Sequence, residues 1–297
     1  MTDLTWGPAT DEIRPLLLAA SAADGRPEVS PDGPLPREFR GGEQLVAVRD
    51  HTVVGYAHLD TDGDAHGNQV AEVLVHPEHR RRGVGTELVR EVLAHAADGV
   101  RLWSHGDHPA AARIGARLGL QKVRELLVMR RSLDDELPEP VWRDGVTVRA
   151  FVPGRDEAAV VEVNRRAFDW HPEQGALTVA DVEATEREPW FDPAGFFLAV
   201  EADGTGADRL LGFHWTKVHP DGTGEVYVVG VDPDAQGGGL GRALTLVGIR
   251  HLRAVGRPEV ILYVEADNAP AVAVYRRLGF TRSAADVQWA VPRTGGA

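Results

Sequence analysis

The stretch VYVVGVDPDAQGGGLGRALTLV, residues 226 to 247, decides how the rest of the chain is read. Its first six residues are apolar or glycine and rich in valine, as in a buried strand. Asp-Pro breaks the run, glycines follow, and from Leu240 apolar residues recur at helical spacing. The unit is therefore strand, glycine loop, helix. In Gln236-Gly237-Gly238-Gly239-Leu240-Gly241-Arg242 the lack of side chains at the four glycines lets successive backbone N–H groups converge on an anion at the positive end of the helix. A diphosphate suits such a site. The loop is too short for a Walker A motif and lacks the third glycine of the dinucleotide fingerprint, so neither ATP nor NAD is indicated.

A second copy stands upstream. AEVLVHPEHRRRGVGTELV, residues 71 to 89, superimposes on it without a gap, with Val75 on Val231, Arg80 on Gln236, Gly83 on Gly239 and Gly85 on Gly241. Further on, His108-Pro109-Ala110 and Arg117-Leu118-Gly119-Leu120 reappear as Asn268-Ala269-Pro270 and Arg277-Leu278-Gly279-Phe280. A loop that recurs in the same context is a far stronger signal than one alone. The chain is a duplicated unit, and the acidic, proline-rich SLDDELPEPVWRDG at 132 to 145 reads as a surface linker between the copies. The expected domains are 1–139 and 140–297.

Hydrophobic patterning gives each half the same order of elements. In the first, helix 10–22 precedes strands 43–49, 52–59 and 69–75, then come helix 84–97, strand 100–104, helix 109–118 and strand 122–131. In the second, strands near 146–151, 195–201, 209–218, 224–231, 259–265 and 286–291 alternate with helices at 156–168, 178–187, 240–254 and 269–278. The fold class is α/β (α+β), each half a mixed, mostly antiparallel sheet flanked by helices.

Composition narrows function. The chain has 297 residues and a formal charge of −13, which disfavours nucleic acid and anionic membranes as partners. Neither a spanning apolar run nor a signal-peptide pattern is present, so a cytoplasmic protein is expected. Cysteine is absent, which excludes disulfides and a thiolate nucleophile. His105 with His108, and His214 with His219, have no convincing ligand spacing, so no metal and no resident cofactor are expected. Trp103, Trp190, Trp215 and Trp289 read most simply as core or pocket-wall aromatics.

The Val-x-Pro, Q/R-x-x-G-x-G and N-x-x-A…Y-x-x-x-G-F series of the second copy resembles the Gcn5-related N-acetyltransferase (GNAT) superfamily. The resemblance implies two tandem GNAT domains. It implies acetyl-CoA as co-substrate, its pyrophosphate on the loop amides of 236–242 and its thioester carbonyl on backbone N–H of Val229, Gly230 and Val231. Asn268, Ala269, Pro270, Ala271, Val272 and Ala273 complete that site. The matching N-terminal set is Val73, Leu74, Val75, Arg81, Arg82, Gly83, Val84, Gly85 and Thr86.

Amide formation by direct attack needs a base for the ammonium and an acid for the departing thiolate. Glu225, six residues before Val231 and so expected on its face of the strand, supplies the first. Tyr275 supplies the second, since a phenol of pKa about 10 stays protonated at neutral pH and so has a proton to give a thiolate whose acid lies near 8.5. Their first-copy equivalents are Gln69 and Gly115, so that copy is expected to bind acetyl-CoA without turnover.

Within the superfamily, LLGFHWTKVHP (210–220), HPEQG (171–175) and LYVEADN (262–268) are similar to the mycothiol synthase family over nearly the whole chain. That resemblance implies acetylation of the cysteinyl amine of a cysteinyl-glucosaminyl-inositol, the final step of mycothiol biosynthesis. It makes Asp32, Glu173, Lys217, Glu225 and Tyr263 the substrate contacts. A monomer acting on this amino-thiol glycoside is expected. Two other readings stay open: a tandem acetyltransferase for another amine, such as an aminoglycoside or a protein N-terminus, and a non-catalytic acyl-CoA sensor.

Overall fold

The computed structural model describes residues 2–7, 13–24, 35, 39, 41–64, 66–169, 174–202 and 208–292. The chain divides into two compact units that are not sequential halves. Unit 1 comprises Met1–Leu127, Glu265–Asn268 and Ala284–Ala297, and unit 2 comprises Val128–Val264 and Ala269–Ser283. This partition differs from the expected boundary near residue 140, because it passes through the interior of two strands, β6 (Gln121–Ser132) and β12 (Thr281–Ala290).

In unit 1, β1 (Asp3–Gly7), β2 (Glu43–Arg49), β3 (Thr52–Asp60) and β4 (Val70–Val75) pair antiparallel in sequence order. β5 (Arg101–Ser104) joins β4 in parallel, and Val287–Trp289 of β12 pair antiparallel with β5. The helices are α1 (Arg14–Asp24), α2 (Val84–His95) and α3 (Pro109–Leu118). α2 presents Val84, Leu88 and Val92, one helical face, to Leu45, Ala57 and Ala71 of the sheet. A Cβ on Gly55 would stand 2.8 Å from Val84 and 2.9 Å from Leu88, so glycine there lets α2 lie close. The sequence reading overlooked β1, a short strand carrying a threonine and ending on glycine.

In unit 2, β7 (Val146–Ala150), β8 (Phe196–Ala202), β9 (Asp208–Val218) and β10 (Gly224–Val231) form an antiparallel series, with β11 (Glu259–Glu265) parallel to β10. One face packs Phe196, Phe213 and Trp215 with Val160 and Val163 of α4 (Glu157–Ala167) and Val182 of α5 (Val179–Thr185). Another cluster joins Ala199 and Leu211 to Leu240 and Leu244 of α6 (Leu240–Ala254). α7 (Ala269–Arg277) precedes β12.

The segment after β6 is not the free surface linker expected. Leu133 and Leu137 are buried, the Leu133 N–H donates to Pro258 O at 2.8 Å, and Arg250 donates to Leu137 O at 3.0 Å. Two leucines in an otherwise acidic stretch anchor it to unit 2. Among the described residues no helix is long and apolar enough to cross a membrane.

Candidate active site and the comparisons that identify the family

Each unit contains one parallel strand pair that opens. In unit 2 the β10–β11 register runs only from Gly224↔Val260 to Val226↔Leu262, although β10 continues to Val231. In unit 1 the β4–β5 register runs from Val70↔Arg101 to Glu72↔Trp103, and β4 continues to Val75. Beyond those points each strand has lost its parallel neighbour.

Hydrogen-bond alternation shows which amides face the opening. Asp232 N–H donates to Leu211 O, so the amides of Gly230 and Val228 also point toward β9, and those of Val229 and Val231 point the other way. In unit 1 His76 N–H donates to Val54 O, which by the same alternation turns the amides of Val73 and Val75 toward the β5 side. Both copies thus present two backbone donors, two residues apart, at an unpaired strand edge.

The glycine loops follow directly. Gly237, Gly238 and Gly239 take φ of 87°, 56° and 80°, left-handed values that glycine adopts without strain, and Gly239 caps α6. In unit 1 Arg81 (φ 61°) and Gly83 (φ 91°) hold the corresponding turn before α2. Asp232 and His76 occupy equivalent places, each side chain accepting from the backbone N–H two residues on. The first-turn amides of α2 and α6 lie at the positive ends of their helices, where an anion is favoured.

In unit 1 the sequence-identified residues gather around a cavity of about 510 Å³. Val73, Leu74, Val75, Arg81, Gly83, Val84, Gly85 and Thr86 all line it. Arg82 does not line it and is exposed. Arg80 lines the cavity but is held by Asp24 through two 2.7 Å hydrogen bonds and by Val75 O at 3.1 Å. Gly115, at the place of Tyr275, packs under Trp289, and a Cβ there would meet the indole at 2.9 Å. No tyrosine fits in that space. Gln69, which the ungapped sequence alignment sets against Glu225, accepts from Ala97 N–H at 2.7 Å.

One residue lining this cavity, His105, belongs to a cluster the sequence reading missed. His105 lies between two buried carboxylates, Nε2 at 2.6 Å from Glu72 and Nδ1 at 2.7 Å from Asp286. An imidazole satisfies an ionised carboxylate at each nitrogen only when both nitrogens carry protons. Asp286 is 181 residues from His105, and no local pattern joins them.

In unit 2 Glu225 is 5% exposed and hydrogen-bonded to Nε2 of His219 at 2.7 Å. The strand register sets Lys217 directly across from Glu225, with Ile261 on its other side and Tyr263 two residues beyond on the same face of β11. Lys217 Nζ lies over the rings of Trp190 and Tyr227, 5.2 and 5.4 Å from their centroids. Tyr275 is half-buried with its ring 5.9 Å from Phe280, and desolvation pushes its hydroxyl up to about 12.

One expectation fails. Between Val226 and Val228 the β10–β9 register shifts by one residue, so Tyr227 is an extra residue in β10. A bulge reverses the alternation beyond it. Val229 and Val231 pack with Leu240 and Leu244, whereas Val228 packs with Trp215 and Tyr227. Glu225 and Val231 therefore lie on opposite faces of the sheet, despite their even spacing. The β3–β4 register of unit 1 has no such shift.

Ala269, Pro270, Ala271, Val272 and Ala273 open α7 in unit 2, while Asn268 belongs to the segment Glu265–Asn268 that clusters with unit 1. Asp32 and Glu173 lie outside the described residues. His214 was also missed as a structural group. It is fully buried, with Nδ1 donating to Leu244 O at 2.6 Å, and burial pushes its pKa down to about 4.

The acetyltransferase (GNAT) family model matches the chain twice, over residues 14–119 and 160–280. A mycothiol acetyltransferase from Saccharomonospora viridis is 60% identical over 293 residues, covering 94% of each chain. One from Amycolatopsis mediterranei is 58% identical over 288 residues, again 94% of each. Among solved structures, a GCN5-related N-acetyltransferase from Sphaerobacter thermophilus is similar with a TM-score of 0.69 and 27% identity, over 96% of this chain and 94% of that one. A tandem GNAT protein from the clavulanic acid biosynthesis pathway shares the fold with a TM-score of 0.68 at 21% identity, over 97% and 98% of the two chains. The chain belongs to the acetyltransferase (GNAT) family, as a tandem member whose sequence relatives are mycothiol acetyltransferases.

Proposed function

We propose that this enzyme transfers the acetyl group of acetyl-CoA to the cysteinyl amine of cysteinyl-glucosaminyl-inositol, completing mycothiol, and that turnover occurs in unit 2. The observation that carries the assignment to unit 2 is on β10. Glu225 stands at the paired end of that strand, and the amides of Val229 and Val231 face the opening a few residues on.

The steps balance with groups that this chain supplies and with solvent. Glu225 removes a proton from the ammonium, and the free amine attacks the thioester carbon. Charge developing on the carbonyl oxygen is met by the backbone donors at the strand edge. The tetrahedral adduct loses the second proton of its nitrogen to solvent and expels the CoA thiolate, leaving the amide; Tyr275 gives a proton to sulfur and is reprotonated from solvent, to which Glu225 releases the proton it took. The Tyr275 hydroxyl, pushed up to about 12, holds its proton at neutral pH, so the proton is in place when the thiolate leaves, and burial makes it a weaker acid than a free phenol. The bulge at Tyr227 serves this arrangement, because it lets the carboxylate face the acceptor side while Val229 and Val231 turn their side chains toward α6.

Lys217, Glu225 and Tyr263 share one face of three adjacent strands, a polar patch suited to a hydroxyl-rich amine. The family resemblance adds Asp32 and Glu173 as acceptor contacts, both outside the described residues. The unit 1 cavity, of a size usual for small-molecule sites, is proposed to hold a second acetyl-CoA without turnover, since the residues that sequence alignment sets against the base and the acid are Gln69 and Gly115.

The test supplies acetyl-CoA with three acceptors: cysteinyl-glucosaminyl-inositol, glucosaminyl-inositol without cysteine, and an aminoglycoside, following product by mass. Selective acetylation of the cysteinyl conjugate is expected. Acetylation of the aminoglycoside with none of the conjugate would overturn the acceptor assignment, and CoA binding without turnover of any amine would favour a sensor.

A further inference from the structure

The carboxylate assigned as base does not stand alone. β9 and β10 are joined by a tight turn in which His219 N–H donates to Thr223 O at 2.9 Å and Gly222 N–H to His219 O at 2.9 Å. Gly222 has φ of 89°, a left-handed turn position. This turn folds His219 back over the start of β10, so that its Nε2 meets Oε2 of Glu225 at 2.7 Å. His219 is 3% exposed and Glu225 5%. Lys217, the cross-strand neighbour of Glu225, lies instead over the Trp190 and Tyr227 rings.

From this geometry we infer that His219 is a positioning residue for the acetyl transfer: it fixes one oxygen of Glu225 so that the other is presented to the acceptor ammonium. The inference rests on the reading of Glu225 as the base. A carboxylate buried without a donor is strongly disfavoured, and one N–H donor suffices to hold a rotamer while leaving the second oxygen able to accept. Because Nε2 faces a carboxylate, it carries the proton. In the neutral ring Nδ1 is then an acceptor, and among the described residues this buried atom has no hydrogen-bond partner. The ring therefore has one task visible in the structure, directed at Oε2. Its position six residues from Glu225 follows from the turn, since only a short hairpin returns the chain in register.

The test compares His219→Leu, which keeps bulk and loses the donor, with His219→Gln, whose amide N–H can reach the same oxygen. Steady-state turnover, thermal unfolding and acetyl-CoA binding are measured for both, beside Glu225→Gln. We expect His219→Leu to lower kcat about tenfold to a hundredfold while KM for acetyl-CoA stays within about twofold, and His219→Gln to restore most of the loss. A folded His219→Leu with unchanged kcat overturns the inference, as does a folded His219→Gln that is as impaired as His219→Leu. Should His219→Leu not fold, His219→Asn, too short to reach Oε2, takes its place and the same contrast decides. The two readings fail separately. Full turnover by Glu225→Gln removes the base assignment itself, whereas loss in Glu225→Gln with none in His219→Leu removes only the role of His219.

Discussion

Arg166 on α4 and Asp232 at the end of β10 form an ion pair of 2.7 Å that ties a helix to the root of the glycine loop. The other Arg166 nitrogen reaches Asp234 at 2.8 Å and holds that carboxyl below the usual carboxylate range. Asp232 is buried and accepts from Asp234 N–H at 2.9 Å, so the pair braces the turn just before Gln236. Arg166→Gln is expected to raise KM for acetyl-CoA about three- to tenfold with a smaller change in kcat, as read from initial rates. Arg209, 3.8 Å from Asp232, limits the effect.

Behind β9, His214 and Gly248 are in direct contact. A Cβ added to Gly248 would clash with Cε1 and Nδ1 of the imidazole, so Gly248→Ala must displace a fully buried side chain. Overpacking of this kind is expected to lower stability by about 1–3 kcal/mol in denaturant titration. Gly256→Ala, where a Cβ would meet nothing within 4 Å, is the steric control for a glycine near the same helix, although its φ of 81° adds backbone strain of its own.

The same histidine makes stability depend on acid. Its pKa is about 4 in the folded chain and 6.5 in the reference state, so the unfolded chain binds the extra proton between those values. Stability is unaffected by His214 above about pH 6.5 and declines as pH falls toward 4. At pH 5 the loss is about 2 kcal/mol relative to pH 7.5, an order-of-magnitude value. Denaturant curves at those two pH values should show a smaller difference for His214→Gln than for the wild type.

Tyr275→Phe tests the proposed acid. Turnover should fall about tenfold to a hundredfold at saturating substrates, with acetyl-CoA binding retained. The pH profile gives a second check. With the folded value near 12 and the unfolded value near 10, the phenol stays protonated through the usual assay range. Any stability it contributes is present below pH 10 and lost as pH rises toward 12. An alkaline limb below about pH 10 that disappears in Tyr275→Phe would contradict the raised value, and unchanged turnover in Tyr275→Phe would contradict the assignment of the acid.

Much of this architecture was legible because backbone demands are written locally. The Gly237–Gly239 run, the Val-x-Pro strand end and the helix starting at Leu240 each specify conformation over a few residues, and a second copy doubled the signal. The lack of a tyrosine at Gly115 has a physical counterpart in Trp289, which fills the space beside it. Three kinds of information were not local. The meeting of Glu72, His105 and Asp286 depends on where β12 pairs. The His219–Glu225 contact depends on the turn at Gly222, and reading the two as separate residues hid it. The bulge at Tyr227 leaves no mark in a run of valines, so counting residues from Glu225 to Val231 gave the wrong face. Leu133 and Leu137 were hidden by the acids around them.

The most direct test of the account is the rate at which wild type and Glu225→Gln form acetylated cysteinyl-glucosaminyl-inositol from acetyl-CoA, quantified by mass at saturating substrates. Loss of about a hundredfold or more in a folded, acetyl-CoA-binding Glu225→Gln is the predicted result. An unchanged rate would place the chemistry elsewhere and contradict the assignment of the base to β10.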